Sequence, residues 1–134
     1  MKKIVLDTSA YSILLRGNEE LLALLEATET IYFSAVVMAE LFAGFKGGAH
    51  ERRNREILKE FLSRPSVVVL DVTCETAEIF AEIFALLKAK GTPIPLHDVW
   101  IGAHAIEQGA VVATADHHFK KIEGLRLWLP EPVI

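Results

Sequence analysis

Cysteine is almost missing from this chain: Cys74 is the only one in 134 residues. An internal disulfide and a multi-cysteine zinc site are therefore excluded, and a reducing compartment is the natural setting. Positive charge is also in deficit, with 14 Lys and Arg against 18 Asp and Glu and a net charge of −4. That balance does not favour phosphate binding, although net charge says nothing of local fields. Six basic residues (Lys46, Arg52, Arg53, Arg55, Lys59 and Arg64) do gather in one stretch, against three acids there: Glu51, Glu56 and Glu60. No apolar run is long enough to cross a bilayer, because Glu40 splits the best one. Lys2-Lys3 and the apolar residues after them faintly imitate a signal peptide, but Asp7 and Arg16 interrupt the stretch. A soluble cytoplasmic protein is expected. No linker, repeat or low-complexity segment divides the chain, so residues 1–134 read as one domain with a proper core, 51% of it hydrophobic.

Apolar runs of strand length alternate with helical patterns. Strands are expected at Ile4–Leu6, Ile31–Phe33, Val67–Leu70, Ala110–Ala113 and, briefly, Leu125–Leu127. Helices are expected from about Ser9 to Glu26, Ala35 to Phe45 behind a Ser34 cap, His50 to Leu62, Thr73 to Lys90, and Asp98 to Gln108. Gly91-Thr92-Pro93-Ile94-Pro95 should be extended, and Gly109 should stop the last helix. Such alternation implies an α/β protein with a parallel sheet covered by helices on both faces.

Most acids lie where solvated acids belong. Glu75, Glu78 and Glu82, for example, line the polar face of one helix. Asp7, Glu40, Asp98 and Asp116 differ, because each is the only formal charge in an apolar or neutral stretch of about a dozen residues. Glu40 is the sharpest case: its helix is apolar nearly all round, so it should be buried, and a buried unpaired carboxylate is costly. A proton or a cation would relieve that cost. Asp7 and Asp116 follow apolar strands, at the carboxyl ends where open parallel sheets bind ligands. Hard cations such as Mg²⁺ and Mn²⁺ prefer carboxylate oxygens and assist phosphodiester hydrolysis. Each residue also fits a plainer role: Asp7 and Asp98 as helix caps, Asp116 as a turn residue. Asp71 passes the same lone-acid test but reads as a turn or pre-cap residue, so only the joint pattern has weight. His104 reads as a helix-surface or core histidine and not a ligand, and Trp100 and Trp128 read as packing residues.

The chain also resembles the PIN domain, and within it the VapC-like toxins of prokaryotic toxin–antitoxin pairs. The resemblance lies in Ile4-Val5-Leu6-Asp7-Thr8-Ser9, in Glu40 within Ser34 to Leu41, in Asp98 within Pro95 to Ala103, and in the Thr-x-Asp-x-His-Phe pattern of Thr114 to Phe119. Gly124-Leu125-Arg126-Leu127 is similar to the family's final strand. His97 and the His117-His118 pair are not positions that diagnose the family, and they leave open whether an imidazole joins the metal shell. The resemblance implies a three-layer sandwich around a mostly parallel five-stranded sheet in the order 3-2-1-4-5, which sets Asp7 beside Asp116. Strand three, with Asp71, would lie two strands from strand one, on the order of 10 Å away.

A VapC-like endoribonuclease is the function this implies. Asp7, Glu40, Asp98 and Asp116 would hold Mg²⁺ or Mn²⁺ and cleave single-stranded or looped RNA. Thr8, Ser9 and Thr114 are candidates to orient acids or water, with capping as their alternative role. Arg52, Arg53 and Arg55 are candidates to steer RNA, beside the plainer reading of a solvated helix face. The resemblance further implies a homodimer and a VapB-like antitoxin that could push a basic side chain into the acidic pocket. Three alternatives remain. A haloacid-dehalogenase-like phosphatase would want a second Asp where Ser9 stands, a phosphoacceptor receiver would want a well-placed lysine, and a catalytically silent PIN-fold binding module would leave the acids idle.

Overall fold

Ile4, Val5 and Leu6 are all fully buried. Three consecutive buried residues mean that both faces of β1 (Lys3–Leu6) are covered, as a parallel sheet under helices requires. A computed structural model of the protein describes residues 1–131. In it β1 is followed by α1 (Thr8–Leu15), α2 (Glu19–Glu26), β2 (Thr30–Ser34), α3 (Ala35–Phe45), α4 (Glu51–Leu62) and β3 (Val67–Leu70). Then come α5 (Cys74–Ala89), α6 (Leu96–Gln108), β4 (Val111–Ala113), a 3₁₀ turn at His117–Lys121, and β5 (Leu127–Trp128).

The five strands form one sheet in the order β3-β2-β1-β4-β5, and every pairing in it is parallel. The expected order holds. β1 pairs Ile4 with Ile31 on one side and Leu6 with Ala113 on the other. The chain leaves β1 towards β2 and returns on the far side as β4, so the topological switch lies between β1 and β4. In open α/β sheets that is where ligands bind, beyond the strands' carboxyl ends.

Several boundaries differ from expectation for local reasons. The helix foreseen over Ser9 to Glu26 is two helices, because Gly17 has φ of +86° and Asn18 caps α2 by accepting from Leu21 N at 2.8 Å. α6 begins at Leu96 with Pro95 before it, so Asp98 lies in the first turn and is not the cap. β4 starts one residue later than expected, and β5 is shifted to Leu127–Trp128. Ser34 does cap α3, its hydroxyl accepting from Val36 N at 3.0 Å.

The core is closed on one side by three aromatic rings. Tyr11, Phe33 and Phe61 meet with centroids 5.5 to 5.6 Å apart, joining α1, β2 and α4. On the other side Trp100 stacks on Phe80 at 4.0 Å, and His104 is fully buried in α6. Both are packing residues, as expected. No described helix is long and apolar enough to cross a membrane.

Phe33→Ala removes one ring of the triad from a fully buried position. It should cost about 3–5 kcal/mol of stability, read as a fall in the urea midpoint at unchanged m.

Candidate active site

Three aspartates reach one place because each lies at or within the first turn of a helical segment. Asp7 follows β1 directly, and its Oδ1 accepts from Ala10 N at 2.8 Å, capping α1. Asp116 lies three residues after β4 and caps the 3₁₀ turn, accepting from His118 N at 2.8 Å. Asp98 stands in the first turn of α6, and contacts with β1 and β4 hold this helix against the switch point. The partial positive charge of a helix start offsets part of what it costs to bury such carboxylates. Capping and site-building are therefore the same act for Asp7 and Asp116, and the plainer roles foreseen for them coexist with the functional one.

The four candidate acids line a single cleft of about 240 Å³, with Thr8, Ser9, His97 and Ile101. Asp7 and Asp98 are buried, each 4% exposed. Glu40 departs from expectation. Its side chain is 31% exposed, because α3 turns it to the mouth of the cleft and not into the core. Asp116 is comparably open, at 33%. Asp71 is exposed and not in the cleft.

The three hydroxyls singled out in the sequence all act on these acids. Ser9 Oγ donates to Asp7 at 2.8 Å, and Thr114 Oγ1 donates to Asp7 Oδ2 at 2.5 Å. The same two oxygens accept backbone bonds from the β4 loop, Ser9 from Ala115 N at 3.0 Å and Thr114 from Asp116 N at 2.9 Å. Asp7 and the loop of Asp116 are thereby tied into one rigid unit. Thr8 Oγ1 donates to Glu40 Oε1 at 2.8 Å, linking α1 to α3.

No lysine or arginine pairs with any of the four acids among the described residues; only His97 and His118 approach them. His97 Nε2 lies 3.3 Å from Asp98 Oδ1 and 3.6 Å from Glu40 Oε2. His118 Nδ1 lies 3.1 Å from Asp116 Oδ1 and 3.5 Å from Asp98 Oδ2. The sequence offered one signal for these imidazoles, that each stands within two residues of a candidate acid. Arg52, Arg53 and Arg55 are not in the cleft. Arg55 pairs with Glu51 and lies over the Phe42 ring at 4.5 Å. Phe42 and Glu40 are two residues apart on α3, about 200° around the helix, so Arg55 lies on the side of α3 away from Glu40.

Burial pushes the Asp7 carboxyl up, against the pull of the Thr114, Ala10 and Ser9 hydrogen bonds, and the Asp116 charge adds to the rise. Burial likewise raises Asp98, opposed by His97 and reinforced by the charges of Asp116 and Asp7. Asp98 Oδ2 is buried and has no hydrogen-bond partner. An orphaned buried carboxylate oxygen beside two other aspartates is what a cation site looks like when described by protein atoms alone.

The PIN domain model matches residues 4–125. The chain belongs to the PIN domain family. This PIN domain is 30% identical over 130 residues to the tRNA(fMet)-specific endonuclease VapC of Salmonella typhimurium, covering 95% of this chain and 97% of that one. It is 30% identical over 129 residues to ribonuclease VapC2 of Haemophilus influenzae, covering 94% and 96%. Its fold matches that of DNA-bound VapBC from Salmonella typhimurium with a TM-score of 0.86 at 29% identity, over 96% of this chain and 98% of that one. The phosphatase and receiver alternatives lapse with this membership. Ser9, where the phosphatase would need its second Asp, is engaged in holding Asp7.

The raised aspartates have a consequence for the metal-free protein. The folded state holds protons on Asp7 and Asp98 more tightly than the unfolded chain does. Stability therefore falls as pH rises from the ordinary carboxylate value towards the raised one, and stays lower above it. Asp98→Asn should raise the melting temperature at pH 7 in EDTA by a few degrees. The gain should shrink as the pH is lowered and wild type takes up the proton itself. A mutant less stable than wild type at pH 7 would contradict this.

Proposed function

We propose that this PIN domain is a metal-dependent endoribonuclease, the toxin of a VapBC-type toxin–antitoxin pair, which hydrolyses RNA phosphodiester bonds with Mg²⁺ or Mn²⁺. The observation that carries the reading is the cleft itself, in which Asp7, Asp98 and Asp116 converge with Glu40 at the rim and no lysine or arginine neutralises them. The residues fit a hard divalent ion, since the donors are carboxylates and Asp98 Oδ2 is orphaned. Such an ion, when bound, polarises the phosphodiester, lowers the pKa of a coordinated water and stabilises the leaving oxygen.

The chain's own residues do the rest. Asp7, Asp98 and Asp116 bind the ion, and Ser9 and Thr114 keep Asp7 aimed into the cleft. Glu40, held through Oε1 by Thr8 and open at the mouth, takes the proton of the attacking water at Oε2. Arg52, Arg53 and Arg55 act at a distance by steering RNA, because none of them reaches the acids. Exposed apolar residues, among them Val68, Val69, Phe84 and Leu86, give a VapB-like antitoxin or a second copy in a homodimer surface to cover. A cytoplasmic setting belongs to the same reading.

Cleavage of a labelled RNA panel with Mn²⁺ or Mg²⁺ tests it. Wild type should cleave and stop with excess EDTA, while Asp7→Asn and Asp116→Asn should each lose about 100-fold or more. Arg52→Ala with Arg53→Ala should slow cleavage only at low salt. Metal-independent cleavage, or equal cleavage by wild type and Asp7→Asn, would sink the proposal, and inertness across the panel would favour a binding module.

A further inference from the structure

We propose that His118 contributes its Nδ1 nitrogen to the cation site and that this nitrogen biases the site towards Mn²⁺ over Mg²⁺. The inference rests on the metal-site reading of the cleft given above. One ligand atom each from Asp98, Asp116 and His118 lie within 4.8 Å of one another. Atoms about 2.1 Å from one ion stand about 3 Å apart when adjacent and about 4.2 Å apart when opposite, so a small inward adjustment would let this set share an ion.

The placement of the imidazole is built into the chain. The His118 backbone N–H donates to Asp116 Oδ1 at 2.8 Å, which fixes the start of the 3₁₀ turn and carries the ring back over the cleft. Its Nδ1 then faces Asp98 Oδ2, the buried oxygen that has no hydrogen-bond partner. The nitrogen also lies 3.1 Å from Asp116 Oδ1, so it stands between the two aspartates, where an ion held by both would meet it. His97 is placed differently. It touches the other oxygen of Asp98 and reaches towards Glu40, which suits it to bridging those two side chains. His117 is exposed and serves as a neutral control.

The chemistry of the donor set then decides the ion. Mg²⁺ is hard and keeps to oxygen, whereas first-row transition ions accept imidazole nitrogen. A site with only Asp and Glu donors discriminates weakly between Mg²⁺ and Mn²⁺. A site with one imidazole gains affinity for Mn²⁺ and gains little for Mg²⁺.

Calorimetric titration with MnCl₂ and with MgCl₂, combined with pulsed EPR of the Mn²⁺-loaded protein, tests this without an activity assay. Wild type should bind Mn²⁺ about tenfold more tightly than Mg²⁺ and show a directly coupled imidazole nitrogen, verified by ¹⁵N-histidine labelling. His118→Ala should weaken Mn²⁺ binding by about tenfold, leave Mg²⁺ binding within about twofold, and lose the nitrogen coupling. His97→Ala and His117→Ala should keep the coupling. A wild-type spectrum without coupled nitrogen would overturn the proposal whatever the variants do. If His118→Ala keeps full Mn²⁺ affinity while Asp98→Asn loses the ion, the carboxylate site stands and His118 is no ligand. If wild type binds no Mn²⁺ at all, the metal-site reading falls and this proposal with it.

Discussion

The structure depends on keeping three carboxylates together at the switch point between β1 and β4, where the order of the strands reverses. Asp7 and Asp98 are buried, burial raises the proton affinity of each, the Asp7 charge adds to the rise at Asp98, and Asp116 adds its charge to both. Left to themselves such groups would separate into solvent or take up protons. They cannot separate, because the backbone holds them. β1 and β4 are adjacent parallel strands, Asp7 N itself donates to Ala113 O at 3.2 Å to extend the ladder, and α6 packs across both strands. The repulsion is therefore stored in the folded state, and a cation is the natural way to release it.

The devices that hold the acids are ordinary capping devices put to a second use. Asp7 caps α1 and Asp116 caps the 3₁₀ turn, so each has a helix start behind it that favours the negative charge. Ser9 and Thr114 donate to Asp7 while accepting from the loop that carries Asp116. Two hydroxyls thus fix the relative position of acids more than a hundred residues apart in sequence. Asp98 has no such support: its Oδ2 is left without a partner. That unpartnered oxygen is also the one beside His118, 3.5 Å from its Nδ1.

Much of this was legible beforehand, but from different kinds of signal. Strand–helix alternation was enough for an α/β protein with a parallel sheet, and the lone-acid pattern singled out Asp7, Glu40, Asp98 and Asp116, but with Asp71 among them. The strand order rested on the resemblance, since pairing between distant strands leaves no local trace. Glu40 was expected to be buried because α3 is apolar nearly all round. That inference failed because one side of the helix borders the cleft, and hydrophobicity cannot tell a core from the wall of a cleft. The break at Gly17-Asn18 was hidden inside a continuous helical pattern, although a glycine before a good capping residue is the signal for it. Asp71 satisfied the same test; it was read as a turn or pre-cap residue, and it follows β3, a strand that β2 separates from β1. The approach of His118 to Asp98 joins α6 to the β4 loop, and only the folded chain brings those two together.

The most direct test of the central claim is to find the ion. Crystals of the wild-type protein soaked in MnCl₂ and measured near the manganese edge should give an anomalous peak enclosed by the carboxylates of Asp7, Asp98 and Asp116, with the orphaned Oδ2 of Asp98 in contact with it. A map with no peak in the cleft, and Asp98 Oδ2 instead hydrogen-bonded within the protein, would contradict the account.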